Sequence, residues 1–185
     1  LGKECVKMNM DRKRLMESVI DYAQAYMDGT QRRKSAAKKM LGVASEIIVD
    51  FSSPNEFIFI AGRTDDEKIG VEIFLAIARK MGWLVSGPAF DKSKAAQAKE
   101  MVAGKGPAFT SVREFLSGYR DGTDFRNAVS QYSEEFASII DANLKGKTAY
   151  AEDVFKSSRS PWAWEKSVAW EIVFAATRHS GLDVA

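Results

Sequence analysis

The sequence predicts a mostly α-helical fold, or an α+β fold with a few short strands around residues 47–60 and 83–86, built from two related helical units packed pseudo-symmetrically. Three observations carry that expectation. Apolar residues recur every three or four positions along most of the chain, which gathers them on single helical faces. Runs suited to strands are confined to Ile47-Ile48-Val49, Phe57-Ile58-Phe59-Ile60 and Trp83-Leu84-Val85. A stretch near Tyr26 returns near Tyr119.

The first helix reads from about Asn9 to Asp28, with Leu15, Val19, Tyr22 and Tyr26 as its apolar stripe. Gly29 supplies a left-handed stop, and Thr30 opens a second helix that carries Ala36, Ala37, Met40, Ala44 and Ile47 on one side. Its end is ambiguous, because Ile47-Ile48-Val49 also suits the start of a strand. Ser52-Ser53-Pro54-Asn55 is a turn. Thr64-Asp65-Asp66-Glu67 is a capping-box pattern opening a helix to about Met81, with Ile69, Ile73, Phe74 and Ile77 inward. Residues 88–103 read as an Ala/Lys-rich connecting helix or linker, broken by Gly104-Lys105-Gly106-Pro107. Ser111-Val112-Arg113-Glu114 matches a second capping box, for a helix reaching Tyr119. The next helix begins at Thr123 and sets Phe125, Val129, Tyr132, Phe136 and Ile139/Ile140 at helical spacing, stopping at Gly146. Thr148 to Lys156 reads as a short helix, and Ser160-Pro161 opens the last, which ends at Gly181.

A shift of 93 residues lays Tyr26-Met27-Asp28-Gly29-Thr30-Gln31-Arg32-Arg33 on Tyr119-Arg120-Asp121-Gly122-Thr123-Asp124-Phe125-Arg126, with five of eight positions identical. With about six further residues in the second half, Glu72, Ala76, Arg79, Gly82 and Val85 meet Glu171, Ala175, Arg178, Gly181 and Val184. The order of these matches points to duplication, with residues 10–87 and 104–185 as the two repeat units of one domain. In each unit the turn glycine ends one helix and the threonine caps the next, while Asp28 or Asp121 sits within reach of Arg33 or Arg126.

Composition narrows the function classes. The chain has 185 residues, 45% of them hydrophobic, with a net charge of +2, which excludes an intrinsically disordered chain. No apolar stretch is long enough for a membrane-spanning helix. One cysteine, Cys5, allows neither an internal disulfide nor a cysteine-based zinc site, and one histidine, His179, leaves no histidine pair. With no signal-peptide pattern and no disulfide framework, the expected location is cytoplasmic. Residues 1–46 carry ten Lys/Arg against six Asp/Glu, so attraction to anions concentrates there.

Two sets of residues suggest chemistry. Asp65, Asp66, Glu67 and Lys68 form an acidic cluster beside a lysine, as in metal-dependent nucleases, with Asp50 joining Asp65 and Asp66 as possible ligands of Mg²⁺. Acids in a first helical turn also follow from the helix dipole alone. Arg12, Lys13, Arg14, Arg32, Arg33, Lys34, Lys38 and Lys39 offer a phosphate-binding face, or simply a solvated one. Trp162 and Trp164, with Arg178, suit a protein-partner surface, although core packing is the default for tryptophan. No P-loop or dinucleotide fingerprint is present. The expectation is a non-catalytic binding protein, without metal or cofactor, regulating or inhibiting a protein partner. The alternative is a nucleic-acid-directed protein that binds through the basic helices or cuts with the acidic cluster and Mg²⁺.

Overall fold

A computed structural model describes residues 2–50, 56–58, 62–86, 104–150 and 162–185, and of residues 2–10, 47–50, 56–58 and 84–86 the backbone alone. The chain divides into two compact units, Leu1–Phe90 and Asp91–Ala185. The described residues are mostly helical with a few short strands.

The first unit runs α1 (Gly2–Tyr26), α2 (Gln31–Asp50), β1 (Glu56–Ile58), α3 (Asp65–Lys80) and β2 (Leu84–Ser86). Gly29, at φ 91°, turns α1 into α2. The helix-period apolar stripes predict which faces pack: Leu15, Val19, Tyr22, Ala23 and Tyr26 of α1 are buried, as are Ala36, Ala37, Met40, Val43 and Ala44 of α2. The β-branched run Ile47-Ile48-Val49 stays within α2 rather than starting a strand. Its helical cost is only a few tenths of a kcal/mol per residue, which an established helix absorbs. Every residue of α3 from Ile69 to Arg79 except half-buried Glu72 is buried, so this helix is the centre of its unit. At Gly70 it comes close against α2, since a Cβ there would sit 2.3 Å from the Ala36 carbonyl oxygen. β1 and β2 pair in parallel, with Phe57 opposite Val85, making α3 the crossover of a β-α-β unit.

The second unit runs α4 (Pro107–Phe115), α5 (Asp124–Ala142), β3 (Leu144–Lys145), β4 (Thr148–Ala149), α6 (Trp164–His179) and β5 (Asp183–Val184). Apart from β3, the element order repeats that of the first unit, and β4 and β5 again pair in parallel around a helix. The buried positions repeat as well. Ala108, Val112, Phe115, Leu116 and Tyr119, and then Val129, Ser130, Ser133, Phe136 and Ala137, are buried at the places matched by the 93-residue shift to the ten buried residues of α1 and α2. Phe109, Asp121, Arg126 and Glu134 are buried in addition. The expected link at residues 88–103 lies outside the described residues.

Three expectations of local structure are corrected in this unit. Thr148-Ala149 is a strand, not the start of a helix: Gly146, at φ 65°, reverses the chain so that Lys145 pairs with Thr148 and Leu144 with Ala149. Ala149 then accepts from the Ala185 amide at 2.9 Å, and residues 151–156 lie outside the described set. Ser111 does not open α4. Pro107 occupies its first position, and the Asp141 carboxylate at the end of α5 accepts from the Ala108 and Phe109 amides at 2.8 and 2.9 Å, capping the helix earlier and from outside it. Ile139 is 38% exposed, while Val129, Phe136 and Ile140 carry the core face of α5. Ser160 and Pro161 lie outside the described residues, and α6 starts after Ala163 with no side-chain cap.

Candidate functional site

The helix-opening box at Thr64 forms as the sequence predicts. Thr64 Oγ1 accepts from the Glu67 amide at 3.2 Å, and Glu67 Oε2 accepts from the Arg63 and Thr64 amides at 2.7 and 3.3 Å. Those two backbone donors, Arg63 first, hold the Glu67 carboxyl below the usual range. Asp66 pairs with Arg32 of α2 at 3.3 Å. The acidic trio therefore does not converge: one carboxylate caps its own helix, one is bridged to α2, and Asp65 is exposed in the first turn. Among the described residues no group of three or more His, Cys, Asp or Glu could hold a metal ion. The side chain of Asp50 lies outside the described set.

The same geometry brings the acidic cluster and part of the basic set together. A groove of about 460 Å³ runs between α2 and the first turn of α3, with Lys38, Lys39 and Glu46 on one wall and Thr64, Asp66 and Glu67 on the other. Ser35 and Gly42 complete its α2 side, and a side chain added at Gly42 would meet nothing within 4 Å. Lys34 and Lys38 are exposed and Lys39 half-buried. Arg12 is half-buried on α1, Arg14 is exposed, and Lys13 forms an exposed pair with Glu17 at 3.9 Å. Arg33 is not a free cation: it holds Asp28 at 2.5 Å and lies over the Tyr26 ring at 5.9 Å. Lys68 is exposed. Sequence reasoning passed over Gly42, although a glycine in mid-helix costs roughly 1 kcal/mol against alanine and so marks a place worth inspecting.

The turn before α2 has a near-replica before α5. Thr30 donates from N and Oγ1 to Asp28 Oδ1 at 3.1 and 2.7 Å, and Thr123 does the same to Asp121 at 3.1 and 2.7 Å. Arg126 reaches Asp121 at 2.6 Å and lies over Tyr119 at 5.8 Å. The environments differ. Asp28 is exposed as a residue, whereas Asp121 is 0% and Arg126 3% exposed. Burial alone would raise both aspartates, but the threonine hydroxyl and amide together with the arginine outweigh it and leave both carboxyls below the usual range. Beside Asp121, Arg120 forms a salt bridge with buried Glu134. In both turns the aspartate thus ties the threonine that follows the glycine to the arginine three residues further on.

In the second unit Trp162 is half-buried, 5.2 Å from Phe136 and 6.5 Å from Trp170 by ring centroid. The Lys166 ammonium lies over both Trp162, at 5.2 Å, and Phe136, at 5.9 Å. Trp164 is half-buried at the first position of α6. Arg178, at the far end of that helix, lies over Phe174 at 5.0 Å. Trp162 and Trp164 thus share one end of α6, and Arg178 does not. Lys166 was missed, although its place four residues after Trp162 is the signal that could have found it.

No family model matches the chain, and neither a curated protein nor a solved structure does. Among the described residues no helix is long and apolar enough to cross a membrane.

Proposed function

We propose that this is a non-catalytic binding protein that regulates or inhibits a protein partner in the cytoplasm. The observation that carries the reading is the half-buried Trp162, braced by Phe136 and Trp170 and roofed by Lys166, with half-buried Trp164 beside it. A tryptophan already held in place loses little freedom when a partner covers it, which is why such residues dominate binding energies at protein interfaces. The single cysteine, which allows no internal disulfide, supports the location. The engagement of Glu67 and Asp66 in cap and salt bridge speaks against their use as catalytic acids.

The test has two arms. Capture with the full chain and with Trp164→Ala, from cells of its source, is expected to recover an interactor with the wild type and lose it with the variant. The second arm incubates the chain with single- and double-stranded DNA and RNA, with Mg²⁺ or EDTA. Metal-dependent cleavage lost in Asp66→Ala would overturn the binding reading and make the protein a nuclease. The second reading, binding of nucleic acid, draws its support from the exposed Arg14, Lys34 and Lys38.

A further inference from the structure

α4 is fastened to the rest of the second unit by charged groups at both ends. At its start, the Asp141 carboxylate of α5 accepts from the Ala108 and Phe109 amides. Gly106 makes room for that carboxylate, which a Cβ at this position would run into. Beyond its other end, Arg120 pairs with Glu134 of α5, and Asp121 pairs with Arg126 of the same helix. Three carboxylates thus hold a helix of nine residues. Between the two ends, Ala108, Phe109, Val112 and Phe115 are buried where α4 packs on α5 and α6.

The first unit shows that this arrangement of helices does not require such fastening. Its helix at the matched place, α1, has 25 residues, and Met27 and Leu41 stand where the second unit has Arg120 and Glu134. Every buried Asp or Glu among the described residues, namely Asp121, Glu134 and Glu171, belongs to the second unit. The two kinds of seam answer water differently. Parting an apolar seam exposes hydrocarbon, whereas parting a charged one returns the desolvation cost that burying the ions imposed. Nor would a freed α4 hold its own shape, since isolated helices shorter than about 12–15 residues are marginal in water.

We infer that α4 is an acid-released strap: protonation of Asp121, Glu134 and Asp141 unfastens both ends, and the helix lifts while the other helices stay folded, uncovering the apolar face of α5 and α6 beneath it. A protonated carboxyl no longer balances the Arg120 or Arg126 guanidinium, and at Asp141 it no longer offers two charged oxygens to the two amides. Against the burial that would raise it, Thr123 and Arg126 hold the Asp121 carboxyl below its usual range, so its share of the hold is lost as pH falls through that lowered value. The other charged side chains of α4 and the turn before it are Lys105, Arg113 and Glu114, and those of α5 are Asp124 and Glu135; none of the five is buried. On α6 they are Glu165, Lys166, Glu171, Arg178 and His179, of which Glu171 alone is buried.

Hydrogen exchange on the full chain, expressed as protection factors at each pH, tests the strap. It follows the Ala108, Phe109, Val112 and Phe115 amides against those of Leu15, Met16, Val19 and Tyr22, at the matched places of α1. As pH falls below about 5, the α4 amides are expected to lose tenfold or more in protection while those of α1 and α6 hold. Arg120→Met/Glu134→Leu puts the first unit's residues into the second and leaves Glu171 in place. It is expected to keep α4 at least tenfold better protected than the wild type over the same acid range. Loss of protection in α1, α4 and α6 at one pH is ordinary acid unfolding and overturns the strap. So does protection of α4 that does not change with pH. Both of those outcomes are read on the wild type and stand whether or not the variant folds. A variant with the wild-type urea midpoint at neutral pH that still releases α4 as the wild type does would overturn it too.

Discussion

Arg126 holds Asp121 at 2.6 Å across a glycine turn, with both side chains almost wholly hidden, at 4% and 0% exposure. The matched pair, Arg33 and Asp28, has the same bonds at 15% and 19% side-chain exposure. One motif thus sits in two dielectric settings within one chain. Removing one member of a buried pair strands a charge and costs about 3–5 kcal/mol. Asp121→Ala is therefore expected to destabilise by that amount. Asp28→Ala is expected to cost about 1–2 kcal/mol, since water can reach the arginine it leaves behind. Urea titration of both variants checks the order, and equal costs would mean that burial does not set the strength of this motif.

The same two aspartates set an acid limb. Both folded-state carboxyls lie below their usual range, so near the unfolded value of about 3.9 the unfolded chain binds more protons than the folded one. Their contribution is present in full above that pH and is lost as pH falls through the folded values. Stability should therefore rise with pH through this window. Asp121→Asn, which cannot titrate, should flatten the rise and lower stability near neutrality. Thermal unfolding from strongly acid to neutral pH measures both, and an unchanged slope would exclude Asp121 as a source of the acid limb.

Helical faces and punctuation were legible in the sequence because they are set locally. The stripes Leu15–Tyr26 and Ala36–Ala44, the Thr64–Glu67 box and the turn glycines depend on residues within a turn or two of each other. The start of α4 was not legible, because its cap is Asp141, more than thirty residues away in sequence. Thr148-Ala149 was misread for a related reason: its strand exists through pairing with Leu144-Lys145 and Asp183-Val184, and a pair of residues has no period of its own. Of the candidate site, the acidic trio and the lysines were each visible, but not that Asp66 and Arg32 answer one another.

The remote cap makes its own prediction. Asp141→Ala removes the acceptor of two amides at the start of α4 and is expected to cost about 1–2 kcal/mol, in the range of a lost helix cap. Asp141→Asn keeps one of the two oxygen acceptors but turns its NH2 towards the other amide and loses the charge facing the helix N-terminus, so it should recover little of the cap. Hydrogen exchange at the Ala108 and Phe109 amides reads the effect locally. Unchanged protection in Asp141→Ala would show that the carboxylate does not cap α4.

Two glycines on facing helices should answer alanine with opposite signs. At Gly70 the new Cβ would lie 2.3 Å from the Ala36 carbonyl oxygen, a backbone atom that can yield only if α2 and α3 separate. Alanine gains roughly 1 kcal/mol of helix propensity over glycine, but overpacking costs typically 1–3 kcal/mol and a backbone clash lies at the upper end. Gly70→Ala is thus expected to be destabilising by about 1–2 kcal/mol. At Gly42 nothing stands within 4 Å of the new atom, so the propensity gain is unopposed and Gly42→Ala should stabilise by about 0.5–1 kcal/mol. Urea titration reads both signs, and equal shifts at the two positions would mean that the Ala36 carbonyl does not limit what Gly70 can accept.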